Sequence, residues 1–262
     1  MKIPRLQPRE WVQRLLVRGS APAGSGAVGP NRDPPSAADQ SIISRVRPYT
    51  MTNDLRIRAL LEGVDYVVRA GVPGAFAECG VWLGGSVLAM ILRLQELGVD
   101  DRDIFLYDTF EGMTRPGSHD VSDYDEPALE TWNRADSEAK KPWDFFFKPE
   151  MFNEETVRRT LLASGYPASR IHLVKGPVEQ TLPASAPEQL ALLRLDTDWY
   201  ESTRHEMLHL YPRIAARGVL IIDDYGHWQG CRRAVDEYFA DRPAQRPLLN
   251  RIDYTARIAV KT

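Results

Sequence analysis

Two short apolar runs, Leu190 to Leu195 (LALLRL) and Gly218 to Ile222 (GVLII), each end on a cluster of acids: Asp196-Thr197-Asp198 after the first, Asp223-Asp224 after the second. Continuous apolar runs of this length predict strands buried on both faces, the pattern of a parallel sheet. The stretch between them has room for one crossover helix. Consecutive strands of such sheets lie close together, so both acidic tips should meet at one rim. Crowded carboxylates repel one another unless a cation lies among them, and a hard divalent ion such as Mg²⁺ is the expected answer. Helix N-capping explains one such Asp well, but three or four much less well.

The rest of the chain continues the alternation. Thr52 is placed as an N-cap for a helical stripe of Leu55, Ile57, Leu60, Leu61, Val64, Val67 and Val68 that stops before Gly71. A first strand follows at Ala75–Gly80, with Glu78 near its tip, then a helix over Leu83–Leu97. Ile104–Tyr107 predicts a second strand ending on Asp108, Glu154–Ser164 a helix, and Ile171–Val174 a third strand. Cys231–Phe239 predicts another helix and Thr255–Val260 a last strand. The expected architecture is α/β, a doubly wound and mostly parallel sheet with ligands at the strand C-termini.

Residues 19–39 are rich in Gly, Pro, Ala and Ser, the composition of a linker. Residues 1–41 are therefore assigned to an arm and linker, and 42–262 to the main domain. The arm carries Trp11, Leu15, Leu16 and Val17, a weak hint of a homodimer contact; Arg14 and Arg18 interrupt any signal-peptide core. No apolar run approaches the ~20 residues of a membrane span. A net charge of −3 gives no footprint for nucleic acid. Two cysteines, Cys79 and Cys231, make neither a disulfide framework nor a metal motif, which suits a cytoplasmic setting.

Residues 109–151 break the strand–helix rhythm. They are acidic (Ser122-Asp123-Tyr124-Asp125-Glu126) and aromatic (Trp143-Asp144-Phe145-Phe146-Phe147), with little regular period. So long an irregular connection suggests a lid or binding loop, here bounded at about 111–150.

After the first strand the glycines fall at Gly80, Gly84 and Gly85, which is not the dinucleotide fingerprint G-x-G-x-x-G. An anionic Glu78 would repel a pyrophosphate but suits an ammonium group. Asp108, closing strand two, can accept from both hydroxyls of a ribose. Together these acids describe S-adenosylmethionine better than a nicotinamide dinucleotide. The turn Gly176 to Glu179 lies where an adenine would sit, which makes Val178 and Glu179 candidate contacts. His205-Glu206-Met207-Leu208-His209 matches the zinc-protease letters H-E-x-x-H, but no third-ligand motif accompanies it. His119 and His227 are better placed for substrate contact or proton removal. A Mg²⁺-dependent phosphatase of the aspartyl-phosphate type is the competing reading of the Asp196/Asp198 pair, although Tyr200 stands where that motif has Thr.

Tyr49-Thr50-Met51-Thr52, Phe76-Ala77-Glu78-Cys79-Gly80-Val81-Trp82, Tyr107-Asp108-Thr109-Phe110-Glu111-Gly112-Met113, Leu195-Asp196-Thr197-Asp198-Trp199-Tyr200-Glu201-Ser202-Thr203 and Ile221-Ile222-Asp223-Asp224-Tyr225-Gly226 together resemble the macrocin O-methyltransferase (TylF-type) family. The resemblance runs from about Tyr49 to the C-terminus. It implies a class I S-adenosylmethionine-dependent methyltransferase: a seven-stranded, mostly parallel sheet with a lid insertion, S-adenosylmethionine and Mg²⁺ as cofactors, and a glycosylated antibiotic as acceptor. The implied acceptor group is a deoxysugar hydroxyl, the 4-hydroxyl of the noviose of an aminocoumarin. The family's metal positions correspond to Asp196, Asp223 and Asp224. Its donor contacts fall on Met51, Glu78, Gly80, Ser86, Asp108 and Thr109. Asp196 is the expected catalytic residue, with a histidine as the other candidate base. Thr197 departs from the Gly that many members carry.

Overall fold

The computed structural model describes residues 35–262, so the arm with Trp11, Leu15, Leu16 and Val17, and the dimer contact it suggested, lie outside the described residues. Seven strands form one sheet: β1 (Ala75–Cys79), β2 (Ile104–Asp108), β3 (Ile171–Lys175), β4 (Leu190–Leu195), β5 (Ile214–Ile222), β6 (Asn250–Arg251) and β7 (Arg257–Val260), in the spatial order β3-β2-β1-β4-β5-β7-β6. The first five are parallel; β7 runs antiparallel to β5, and β6 to β7. The strand order reverses direction at β1 and β4, which opens a crevice above their C-terminal ends.

Alternation along each strand divides the core. Phe76 and Leu192 face one apolar layer, and their neighbours Ala77 and Leu193 face the other. The first layer is covered by α1 (Ala37–Val46), α2 (Asp54–Arg69), α3 (Gly85–Glu96) and α5 (Glu154–Leu162), and the second by α7 (Tyr200–His209) and α8 (Gln229–Ala240). Two further helices sit in connections, α4 (Ala128–Ser137) between β2 and α5, and α6 (Val178–Thr181) between β3 and β4. No helix among the described residues is long and apolar enough to cross a membrane.

Several boundaries differ from the sequence expectations for local reasons. α1 begins inside the segment expected to be linker, because Ser36 and Asp39 make a reciprocal capping box. α2 is capped by Asn53, which accepts from the Arg56 N–H, rather than by Thr52; Thr52 is buried and its hydroxyl accepts from Arg194 instead. β5 starts at Ile214, four residues before the apolar run, and the register with β4 shifts between Leu190 and Leu192. β6 was not anticipated, since two exposed polar residues carry no strand pattern. The insertion is not wholly irregular, for α4 lies within it.

Candidate active site

β1 leaves the sheet through Gly80, whose φ of +78° favours glycine, and a Cβ there would stand 2.0 Å from the Asp196 carbonyl oxygen. Glycine thus lets the tips of β1 and β4 touch. At the start of α3, a Cβ on Gly85 would meet the Tyr49 carbonyl oxygen at 2.5 Å, so the 49–52 segment seats directly on the first helical turn. Between these elements lies a small pocket lined by Tyr49, Thr50, Met51, Thr52, Glu78, Val81, Trp82, Ser86 and Asp196. Of the expected donor residues, Met51, Glu78 and Ser86 share this pocket and Gly80 shapes its wall.

Asp108, Thr109, Val178 and Glu179 fall outside that lining. Asp108 closes β2 and accepts from the N–H groups of Val81 (2.8 Å), Trp82 (3.1 Å) and Phe110 (2.8 Å), which locks the turn after β1 to the tip of β2. The Thr109 hydroxyl donates to the Gly112 carbonyl at 2.5 Å and closes its own turn. Val178 packs into the second core layer, and Glu179 is exposed at the start of α6.

One carboxylate oxygen from each of Asp196, Asp223 and Asp224 lies within 4.8 Å of the other two. Asp198, in the left-handed conformation at φ +67°, joins the cluster and accepts from the Trp228 indole N–H at 2.9 Å. Burial raises the Asp224 carboxyl well above its usual range, and the negative charges of Asp198, Asp196 and Asp223 add to the effect. Burial likewise pushes Asp196 up to about 6, against the pull of Arg194. Asp223 goes the other way: burial raises it, but Arg56 and Arg194 outweigh that and hold it below the ordinary value.

The cation expected among these acids is in part supplied by the chain. Arg194, inside the run LALLRL, is 2 % exposed. Its guanidinium contacts Glu78, Asp196 (2.7 Å), Asp223 (2.6 Å) and Thr52 (3.2 Å). Arg56, from α2, reaches the other oxygen of Asp223 at 2.5 Å and also pairs with Asp253 at 2.8 Å. Arginines thus supply part of the positive charge expected of a metal: Asp223 is compensated from both sides. The compensation stops there. Glu78, Asp196, Asp198, Asp223 and Asp224 outnumber the two guanidiniums, and Asp224 Oδ2 is buried without a hydrogen-bond partner. The oxygen-only set at Asp196, Asp223 and Asp224, with Asp224 Oδ2 left without a partner, fits a hard divalent ion; Glu78 Oε2, on the donor side, is likewise buried without one.

The two flagged histidines part company. His227 follows the acidic turn, its backbone N–H donating to the Asp224 carbonyl, and its ring lies between Asp125 (2.9 Å) and the Tyr254 hydroxyl (3.1 Å) with Tyr124 stacked on it. His119 instead meets Arg233 at 3.2 Å and the edge of Tyr200. The H-E-x-x-H letters build no zinc site: His205 faces the Leu182 carbonyl, while Glu206 is fully buried and accepts from the Thr197 hydroxyl at 2.9 Å.

The insertion is pinned to this rim. The Trp199 indole donates to the Thr114 carbonyl, and the buried Asp120 accepts from the Tyr200 N–H at the start of α7. The Gln229 N–H donates to the Val121 carbonyl, and the Trp82 indole to the Phe146 carbonyl. Sequence reasoning missed Arg194, Arg56, Asp120 and Glu206. Arg194 alone carried a signal, as a charge inside an otherwise apolar strand two residues before an acid on the same face.

The strand order, the pocket at the β1 tip and the acids on β4 and β5 define a class I S-adenosylmethionine-dependent methyltransferase. The model of the Macrocin-O-methyltransferase (TylF) family matches residues 31–260, and the chain belongs to that family. It is 31 % identical over 192 residues to demethyldecarbamoylnovobiocin O-methyltransferase of Streptomyces niveus, covering 73 % of this chain and 68 % of the relative. To mycinamicin III 3''-O-methyltransferase of Micromonospora griseorubida it is 32 % identical over 190 residues, covering 72 % and 70 %. The solved structure of the O-methyltransferase NovP is similar with a TM-score of 0.69 at 30 % identity, over 82 % of each chain. Membership in a methyltransferase family removes the aspartyl-phosphate phosphatase alternative.

Proposed function

We propose that this protein moves the methyl group of S-adenosylmethionine to a deoxysugar hydroxyl of a glycosylated antibiotic, the 4-hydroxyl of noviose in an aminocoumarin, with Mg²⁺ held at the rim. The observation that carries the reading is the meeting of Asp196, Asp223 and Asp224 within 4.8 Å beside a pocket that contains Glu78. The acceptor class rests on the names of the relatives described above.

In this reading Glu78 receives the donor's ammonium group, Asp108 its ribose hydroxyls, and the turn at Val178 and Glu179 its adenine. Burial pushes the Glu78 carboxyl up to about 8 even with the guanidinium of Arg194 against it, and a bound ammonium would draw it back to the anion. Asp196, Asp223 and Asp224 hold the ion. When bound, a divalent ion lowers the pKa of a coordinated hydroxyl and fixes its direction of attack. Asp196 both lines the donor pocket and belongs to the acidic rim, so its carboxylate is the group assigned to take that proton. The insertion, tied to α7, α8 and Trp82, excludes water above the reacting atoms. Two buried thiols, Cys79 and Cys231, suit a cytoplasmic reaction.

The test is purified protein with labelled donor, a panel of aminocoumarins and glycosylated macrolides lacking one O-methyl group, and EDTA. Transfer to the aminocoumarin sugar, lost with EDTA and restored by Mg²⁺, is expected. Full turnover in EDTA would remove the metal from the mechanism, and transfer only to macrolides would move the acceptor class. His227→Gln separates the two base candidates: kcat within about tenfold of wild type supports Asp196, whereas a loss of roughly 10²–10⁴-fold transfers the role to His227. Removing residues 129–141, the part of the insertion around α4, should raise the acceptor KM about tenfold or more and leave donor affinity within about threefold. An unchanged acceptor KM would make that segment mere surface.

A further inference from the structure

We propose that Arg194 is a positioning residue that ties the donor pocket to the metal-holding acids, so that one buried side chain sets the affinity of both; this rests on the function proposed above. Arg194 occupies the fifth place of a strand whose other five residues are apolar and buried. A buried guanidinium is strongly destabilising unless its N–H groups are paired almost completely. Arg194 meets that condition: one terminal nitrogen donates to Glu78 and Asp196, the other to Thr52 and Asp223.

The partners belong to two different tasks. Glu78 is directly opposite Arg194 in the β1–β4 register and lines the donor pocket, as does Thr52. Asp196 and Asp223 lie at the ends of β4 and β5, with the Asp223 N–H donating to the Leu195 carbonyl. A planar fork that reaches both groups fixes the direction of each carboxylate, and a single-point ammonium cannot do the same. It also removes repulsion between Glu78 and the rim acids, which would otherwise turn their carboxylates apart. Arg56 cannot substitute, because its contacts are Asp223 and Asp253, neither of which lines the donor pocket.

The experiment uses the full chain freed of metal, with Mg²⁺ and S-adenosylhomocysteine titrated separately by calorimetry into wild type, Arg194→Met and Arg194→Lys, and the fold of each variant checked by near-UV circular dichroism. Arg194→Met should weaken both ligands by about 10–100-fold, the range for residues that orient metal ligands, and Arg194→Lys should fall between it and wild type for both. A merely structural arginine would lower the melting temperature and leave both dissociation constants within about threefold, and that result overturns the proposal. Loss of one ligand alone also overturns it, since the two sites would then be independent. Should Arg194→Met not fold, the lysine variant decides: joint partial weakening supports the coupling, and wild-type affinities refute it. Wild-type protein that binds S-adenosylhomocysteine but not Mg²⁺ would defeat the metal reading itself, a different outcome from a metal-binding enzyme indifferent to residue 194.

Discussion

Asp224→Ala should reduce methyl transfer by roughly 10²–10³-fold or more, the scale for losing one electrostatic element at a reacting centre, while the metal-free protein becomes no less stable. The two halves of this result have one cause. Asp224 carries a buried carboxylate oxygen without a partner, and the repulsion from Asp198, Asp196 and Asp223 outweighs the attraction of Arg56. Removing it takes away repulsion and a desolvated polar atom and breaks no side-chain hydrogen bond among the described residues. The hydrogen bonds that close the turn after β5 run from the His227 and Trp228 N–H groups to the Asp224 backbone carbonyl, which alanine keeps. Thermal melts should therefore show an equal or higher midpoint without Mg²⁺ and little of the Mg²⁺-dependent rise expected of wild type. A variant that is markedly less stable without metal would mean that Asp224 is structural, and near-normal turnover would mean that it holds no ion.

Gly80→Ala should destabilise the fold by roughly 2–5 kcal/mol, combining left-handed backbone strain with overpacking against an unyielding neighbour. The added methyl would lie 2.0 Å from the Asp196 backbone carbonyl, and a carbonyl at a strand end cannot rotate away as a flexible side chain can. Either the β1 tip or the β4 tip must move, and each carries part of the site. Donor affinity should fall with stability. Gly71→Ala is the control: its φ is similarly positive at +62°, but nothing lies within 4 Å of the added methyl, so only the backbone cost of about 1 kcal/mol applies. Urea unfolding of the pair separates the terms. Equal effects at the two positions would mean that the strand tips do not touch as described.

The layout of the fold was legible where burial repeats along the chain. Strands with two buried faces, such as Leu190–Leu195, show as unbroken apolar runs, and the stripe from Ile57 to Val67 shows as a helix face. Capping chemistry hid inside misleading composition: Ser36 and Asp39 start α1 within a Pro- and Ser-rich stretch, and Asn53 rather than the neighbouring Thr52 caps α2. The acids of the rim were legible because a charge at the end of an apolar run is conspicuous. Their arginine partners were harder to find. Arg56 sits on a half-polar helix whose charges give no direction, and it meets Asp223 only through a contact 167 residues apart in the chain. Asp120 lies in the aperiodic insertion, and its task of accepting from the first turn of α7 exists only once the insertion folds across the rim. Of the histidines, two stood equal on sequence grounds, and the packing of Asp125 and Tyr124 around His227 distinguishes it from His119.

The most direct test is anomalous diffraction from crystals of the full chain grown with Mn²⁺ in place of Mg²⁺ and with S-adenosylhomocysteine. The account predicts one strong peak within coordination distance of oxygens from Asp196, Asp223 and Asp224, with Arg194 still bridging to Glu78. Carboxylates turned apart with no peak among them at saturating Mn²⁺, in protein that still transfers methyl groups, would contradict it.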